Sequence, residues 1–253
     1  MTPSLLALWE EQPESNVRQR LYAVLRQSII RMTLAPGQAL SEKEIAETFA
    51  VSRQPVREAF IRLSEAGLVE VRPQRGTYVV PISQAAVMEA RFVREALEAA
   101  VARSAAEQGL DSAVLDELRE LIVRQRRCAE SDDHDRFYRL DEAFHRTLSL
   151  GAGHDAAWGV TQEVKAQLDR VRYLSVPDAT PIATLIEQHT AILDSVAAGD
   201  ADAAERAVKA HMREILRSLP ELIARFPELF DAVSVRPSFS TTTGLSAASV
   251  DPA

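Results

Sequence analysis

The chain has 253 residues, 46% hydrophobic and 26% charged, with a net charge of −8, the proportions of a soluble globular protein long enough for two domains. Its single cysteine, Cys128, excludes disulfides and thiolate metal clusters, and its nine glycines fall in no nucleotide-loop or Gly-x-Ser-x-Gly spacing. No apolar run is long enough to span a membrane and no basic-then-apolar leader opens the chain, so a cytoplasmic protein without membrane contact is expected.

The acidity is uneven. Residues 1–81 carry ten Lys or Arg against nine Asp or Glu, whereas the remainder carries nineteen against twenty-eight. A nucleic-acid-binding amino-terminal region is therefore permitted.

After an extension over 1–16, the spacing of Val17, Leu21, Val24, Leu25, Ile29 and Met32 predicts an amphipathic helix ended by the turn LAPGQAL. Ser41 stands three residues before Glu44, a capping-box pattern opening a second helix that buries Ile45, Ala46 and Phe49. A third helix runs from about Arg53 to Ala66, capped by Ser52, with Pro55 in its first turn and Gly67 as its stop. LVEVRPQRGTYVVPI then alternates around a turn at Pro73 to Gly76, giving a hairpin. Three helices and a hairpin over 17–81 make a winged helix-turn-helix.

From 82 to 230 the pattern is all-helical, with helices near 84–108, 112–130, 133–150, 154–175, 182–198 and 201–225, as in an antiparallel bundle. Residues 231–253, rich in Ser, Thr and Ala, are expected to be a disordered tail. The expected fold class is thus mainly α, a winged helix-turn-helix followed by an all-α antiparallel helical bundle.

In a helix-turn-helix the second helix presents its amino-terminal end to the major groove. Here that end carries Ser52, Arg53, Gln54 and Arg57. Arg can bond guanine and Gln adenine in bidentate fashion, while Lys43, Arg75 and Gly76 are placed for phosphate or minor-groove contact. On the residues alone, solvated charges on a small helical domain are the favoured reading.

The histidines carry the second site. Asp141 and His145, four apart, project from one helix face with Cβ atoms about 6 Å apart. His189 and His211 flank the turn at Gly199-Asp200, ten residues before it and eleven after. In an antiparallel hairpin each lies about 15–17 Å from the turn, so they stand at one height. One Asp and three His are a plausible first shell for a divalent ion, zinc first, with nickel or manganese as alternatives. Equally, Arg139 or Arg146 could make Asp141 an ordinary surface ion-pair member.

The stretch PGQALSEKEIAETFAVSRQPVREAFIRLSEAGLVEVRPQRGTYV resembles the winged helix-turn-helix of GntR-family bacterial transcription regulators. That likeness implies Arg53 and Arg57 as principal DNA contacts, with Lys43, Gln54, Arg75 and Gly76 in support. FVREALEAAVARSAA, LDEAFHRTL and EQHTAILDSVAAGDADAAERAVKAHM resemble the FCD effector domain of the FadR branch, and six helices point to its VanR-like subgroup. In metal-containing members the positions matching Asp141, His145, His189 and His211 bind the ion. A small organic acid then binds at the metal, with Arg94 supplying the cation for its carboxylate and Arg91 as a weaker candidate. One departure is GAGH, where the family commonly has A-G-N, which puts the choice of acid in doubt; His154 itself reads as a surface or cap residue.

The expected protein is a homodimeric regulator, repressor or activator, whose two heads read a pseudo-palindromic double-stranded operator under control of a small carboxylate effector. Two alternatives remain: a metal-dependent enzyme using the Asp/His cluster, with Glu142 or Glu187 as base, and a constitutive DNA-binding protein with a structural metal.

Overall fold

The computed structural model describes residues 4–11, 16–178 and 180–231; of the expected tail only Asp231 falls among them. Helix α1 (Leu5–Glu11) belongs to the winged head rather than trailing from it. It buries Leu8 and sets Trp9 against Phe49 with ring centroids 4.8 Å apart, and Arg20 stacks over the same indole at 3.9 Å.

Helix α2 (Val17–Ile30) opens on Asn16, whose side chain accepts from the Arg18 N–H. It buries Leu21, Val24, Leu25 and Ile29, each worth about 1.5–3 kcal/mol when fully removed from water. The expected apolar stripe is too long at both ends: Val17 in the first turn is exposed, and Met32 lies beyond the Arg31 cap with a left-handed φ of 58°. Helix α3 (Glu42–Thr48) starts from Ser41, whose Oγ accepts from the Glu44 N–H.

Helix α4 (Arg53–Glu65) has Ser52 at its N-cap position, but the Ser52 side chain makes no capping bond, so the expected cap is a backbone cap only. At its other end Gly67, with φ 66°, lets the Leu68 N–H reach Leu63 O at 2.9 Å. Strands β2 (Val69–Arg72) and β3 (Gly76–Val79) form the wing. A strand the sequence pattern hid, β1 (Ala39–Leu40), pairs antiparallel with β3 and makes the sheet order β1-β3-β2. Two residues are too few to show alternation.

The helical part comprises α5 (Gln84–Gln108), α6 (Ser112–Ser131), α7 (His134–Gly151), α8 (Asp155–Val164), α9 (Ala166–Asp178), α10 (Ile182–Ala197), α11 (Ala201–Met212) and α12 (Ile215–Arg225), then a 3-10 turn at Pro227–Leu229. The expected count of six fails because two of the expected helices break, at Lys165 and at Arg213–Glu214. Both breaks have the same physical reason. The bundle core, built from α5, α6, α7, α10 and α11, is distinct from a smaller cluster that gathers Ile82, Val87, Leu168, Val171, Ile215, Leu219, Leu222 and Phe230. After Arg213–Glu214, Ile215 leaves the core that holds Met212 for the smaller cluster; after Lys165, Ala166 joins the core of the head and Leu168 the smaller cluster, whereas α8 packs its partly buried Ala157 against the bundle.

The link between head and bundle is strapped down. The Ile82 N–H donates to Leu229 O, the Asp231 N–H to Ile82 O, and the Gln84 N–H to an Asp231 carboxylate oxygen. Helix α9 packs against α2 as well as α5 and α12, and its Ala166 is buried within the core of the head. No helix among the described residues is long and apolar enough to cross a membrane.

Candidate metal centre and DNA interface

Helix α7 begins at an Asp133 cap that accepts from the Arg136 N–H, and it buries Phe137, Leu140, Phe144 and Leu148. Asp141 and His145 share this buried side, each 2% exposed. Helices α10 and α11 form a tight hairpin through Gly199 (φ 72°) and Asp200, whose carboxylate caps α11 at the Ala203 N–H. The equal spacing from that turn brings His189 and His211 within 4.6 Å, ring centroid to centroid.

The four side chains converge. One ligand atom from each of Asp141, His145, His189 and His211 lies within 4.8 Å of all the others. His145 Nε2 to His211 Nε2 is 3.2 Å, and His189 Nε2 to Asp141 Oδ1 is 3.4 Å. A tetrahedron with bonds of about 2.0–2.2 Å has edges of about 3.3–3.6 Å; these two pairs lie near that range, and His145 Nε2 stands farther, at 4.0 Å, from Asp141 Oδ1.

The outer contacts decide which nitrogen faces inward. Gln125 donates its amide to Leu140 O at 3.2 Å, so its Oε1 is what meets His189 Nδ1 at 2.9 Å. Gln188 likewise donates to Glu214 at 2.8 Å and turns Oε1 to His211 Nδ1 at 2.9 Å. Glu98, which accepts from Arg94 Nε at 2.7 Å, holds His145 Nδ1 at 2.8 Å. An oxygen acceptor at every Nδ1 places the proton there and leaves each Nε2 lone pair for the centre. His145 Nε2 and His211 Nε2 face each other at 3.2 Å, close enough for one cation between them to take both. His189 Nε2 is buried without a hydrogen-bond partner. The donor set therefore fits a divalent ion.

Electrostatics agree. Burial, reinforced by the neighbouring histidines and by Arg94 and Arg172, holds the His189 and His211 pKa values well below the usual histidine range, so both rings are neutral at pH 7. Burial alone would raise the Glu98 carboxyl, but Arg94 and His145 hold it below the usual carboxylate range.

A cleft of about 540 Å³, solvent at its mouth included, opens beside the cluster. Asp141 and His211 form part of its wall, with Arg94, Arg172, Ser175 and Thr180 as further polar groups and Phe137, Leu168 and Leu185 as apolar ones. Arg94 is 2% exposed, and its Nη2 has no hydrogen-bond partner. Arg91 is not in this wall. It pairs with Glu95, which also takes Arg213, on another side of α5.

Several sequence expectations meet corrections here. The partner of Asp141 is Arg172 of α9, neither Arg139 nor Arg146; those two are exposed, Arg139 lying 3.9 Å from Glu11. His154, as expected, is a cap residue and no part of the cluster: it occupies the N-cap position of α8, and its ring meets Ser104 Oγ at 2.9 Å. Glu142 is engaged by Lys165 and Arg172, and Glu187 is exposed on α10. Glu98, Gln125, Gln188 and Arg172 were not legible as site residues. A signal existed for Gln125, a lone amide among Leu118, Leu121, Ile122 and Cys128 on the buried stripe of α6.

On the head, Ser52, Arg53 and Gln54 are exposed at the amino-terminal end of α4. Gln54 bonds Glu58, and Arg57 is held by a two-point pair with Glu42 of α3, at 3.1 and 3.0 Å. Lys43 lies 3.8 Å from Glu47. Arg75 and Gly76 stand at the wing tip, where Gly76 takes φ 107° and Arg75 O accepts from Tyr78 Oη at 2.8 Å.

Comparison with known proteins matches residues 17–79 to the family described as "Bacterial regulatory proteins, gntR family", and residues 89–214 to the FCD domain. The chain is 43% identical over 210 residues to the HTH-type transcriptional repressor RspR of Escherichia coli K12, covering 83% of this chain and 92% of that one. Among solved structures, E. coli McbR/YncC shares the fold at TM-score 0.71 with 19% identity, covering 84% of this chain and all of that one. A transcriptional regulator from Rhodococcus sp. RHA1 superposes at 0.66 with 26% identity, over 80% of this chain and 97% of that one. With a reading head on its winged helices and an FCD bundle behind it, the chain belongs to the GntR family and is a transcription regulator.

Proposed function

We propose that this regulator binds a divalent metal, zinc first, through Asp141, His145, His189 and His211, and that a small carboxylate bound at that site controls its grip on operator DNA. The observation that carries the reading is the triple Nδ1 lock: three acceptors, each fixed by a further partner, aim three imidazole lone pairs at one carboxylate-flanked point. When bound, the metal supplies a Lewis-acid position for one carboxylate oxygen. Arg94, with its unpartnered Nη2 in the cleft wall, supplies a donor for the other. The apolar wall excludes water and selects a small acid. Arg91 has no part in the pocket on this reading.

Arg53, Gln54 and Arg57 read base edges, with Ser52, Lys43, Arg75 and Gly76 on phosphate or in the minor groove. Arg57 exchanges its Glu42 pair for DNA. Two chains bind the halves of a pseudo-palindrome, and the E. coli relative named as a repressor supports repression as the output. The regulator reading is favoured over an enzyme because neither carboxylate weighed as a base is placed for it: Glu142 is paired with Lys165 and Arg172, and Glu187 is exposed on α10.

The test uses the full chain, stripped and reloaded with Zn²⁺. The parent should take up one ion per chain and melt higher with small carboxylates only when loaded, while Asp141→Ala and His189→Ala lose both responses. Operator affinity that stays unchanged with a carboxylate known to bind the chain refutes the control by ligand. Variants that no longer fold point instead to a structural metal.

A further inference from the structure

Helix α9 touches both ends of the molecule. On one side, its Arg172 pairs with the non-converging oxygen of Asp141 and its Leu168 and Ser175 wall the cleft. On the other side, Gln167 donates to Gly67 O at the end of α4, and Arg170 donates to Val80 O where the wing leaves the head, at 3.0 Å. Between them lies Asp169, 0% exposed. Its carboxylate meets Arg26 of α2 at 3.1 Å, Lys165 at 2.9 Å and Arg172 at 3.5 Å. One buried anion thus serves three cations from the head, the α8–α9 break and the metal-side wall.

This arrangement is a competition. Glu142 shares Arg172 and Lys165 with Asp169 but not Arg26, so Asp169 is the only carboxylate among the described residues that joins the head to the site in this way. A divalent cation at the Asp/His cluster repels the Arg172 guanidinium and drives it from Asp141 towards Asp169 and Glu142. A fuller bond from Arg172 leaves Asp169 with less charge for Arg26. Arg170 adds to the poise: it is fully buried at the same junction with Nε and Nη2 unpartnered, so the packed interface carries a cost that movement of α9 releases.

We propose that Asp169 is the coupling residue between the ligand site and the DNA-reading head, passing a change at Asp141 through Arg172 to Arg26 and α2. The inference rests on the metal reading above. It makes Asp169 and Arg26 positioning residues, which touch neither metal nor DNA.

Coupling is reciprocal, so the head can be probed through Zn²⁺ alone, without knowing operator or acid. Zn²⁺ affinity is measured on the full chain by competition with a chromophoric chelator. Arg26→Met, by freeing Asp169 for Arg172, should raise the affinity about fivefold or more, and Asp169→Asn should lower it by a similar factor. The decisive arm is the double variant. A relay through Asp169 predicts that Arg26→Met has no effect once Asp169 is Asn, whereas simple long-range electrostatics predicts that the two effects multiply. Multiplying effects, or Arg26→Met within twofold of the parent, overturn the proposal while leaving the metal site standing. Zn²⁺ binding that survives Asp141→Ala overturns the metal reading and the relay with it. If Arg26→Met does not fold, Arg26→Gln removes the charge and keeps a hydrogen bond.

Discussion

Gln125→Leu tests the lock on the metal centre. The amide is 0% exposed and makes two bonds, 2.9 Å to His189 Nδ1 and 3.2 Å to Leu140 O. Leucine fills comparable space but accepts nothing, so the buried Nδ1–H loses its partner at a cost of about 1–3 kcal/mol. The ring escapes by moving its proton to Nε2, where a small shift towards Asp141 Oδ1, 3.4 Å away, would let it donate. That escape is bought from the metal, which has to reverse the tautomer and break the new bond before it can bind. Loss of such an outer partner costs about 10–100-fold in metal affinity, or about 1.4–2.8 kcal/mol. Chelator competition with Zn²⁺ reads the affinity, and circular dichroism with thermal melting confirms the fold. A folded variant that holds Zn²⁺ within twofold of the parent shows that the Nδ1 acceptors do not set the site.

The metal-free chain should lose stability as the pH falls. His189 and His211 have folded pKa values below their unfolded value near 6.5, so the unfolded state takes up protons first, and between pH 6.5 and 5.5 each costs about 1 kcal/mol. Urea melts of metal-free protein at the two pH values check this; equal midpoints refute the buried neutral assignment. Arg94→Lys keeps a cation beside Glu98 but loses the forked donor, so carboxylate binding to the Zn²⁺-loaded chain should weaken about tenfold while Zn²⁺ uptake persists. Calorimetry that finds the acid bound as before assigns its anchor elsewhere. Arg53→Ala should abolish discrimination between operator and random DNA, at about 1–3 kcal/mol for a lost bidentate contact, with an unchanged melting temperature because the residue is exposed. Gel shifts showing the parent's preference would remove Arg53 from the reading face.

The sequence by itself determined the local grammar: the Ser41 cap, the Gly67 stop, the wing turn and the register of helices α5 to α7 follow from short-range stereochemistry and apolar spacing. Helix arithmetic paired Asp141 with His145 by i,i+4 spacing and His189 with His211 by equal distance from a hairpin turn; joining the two pairs in one set came from the family resemblance, and packing is what brings them together. What lay beyond the sequence depended on which core each segment joins. Lys165 and Arg213–Glu214 break their helices where the apolar residues change allegiance from one cluster to another, and nothing within either segment announces that change. The same holds for Asp141's partner. Arg139 and Arg146 were near in sequence, yet Arg172, thirty-one residues away, holds the carboxylate because α9 crosses between the site and the head. Local periodicity fixes which face a side chain occupies; only packing decides what stands opposite, and in this protein the outer acceptors of the histidines and the shared carboxylate of Asp169 all stand opposite.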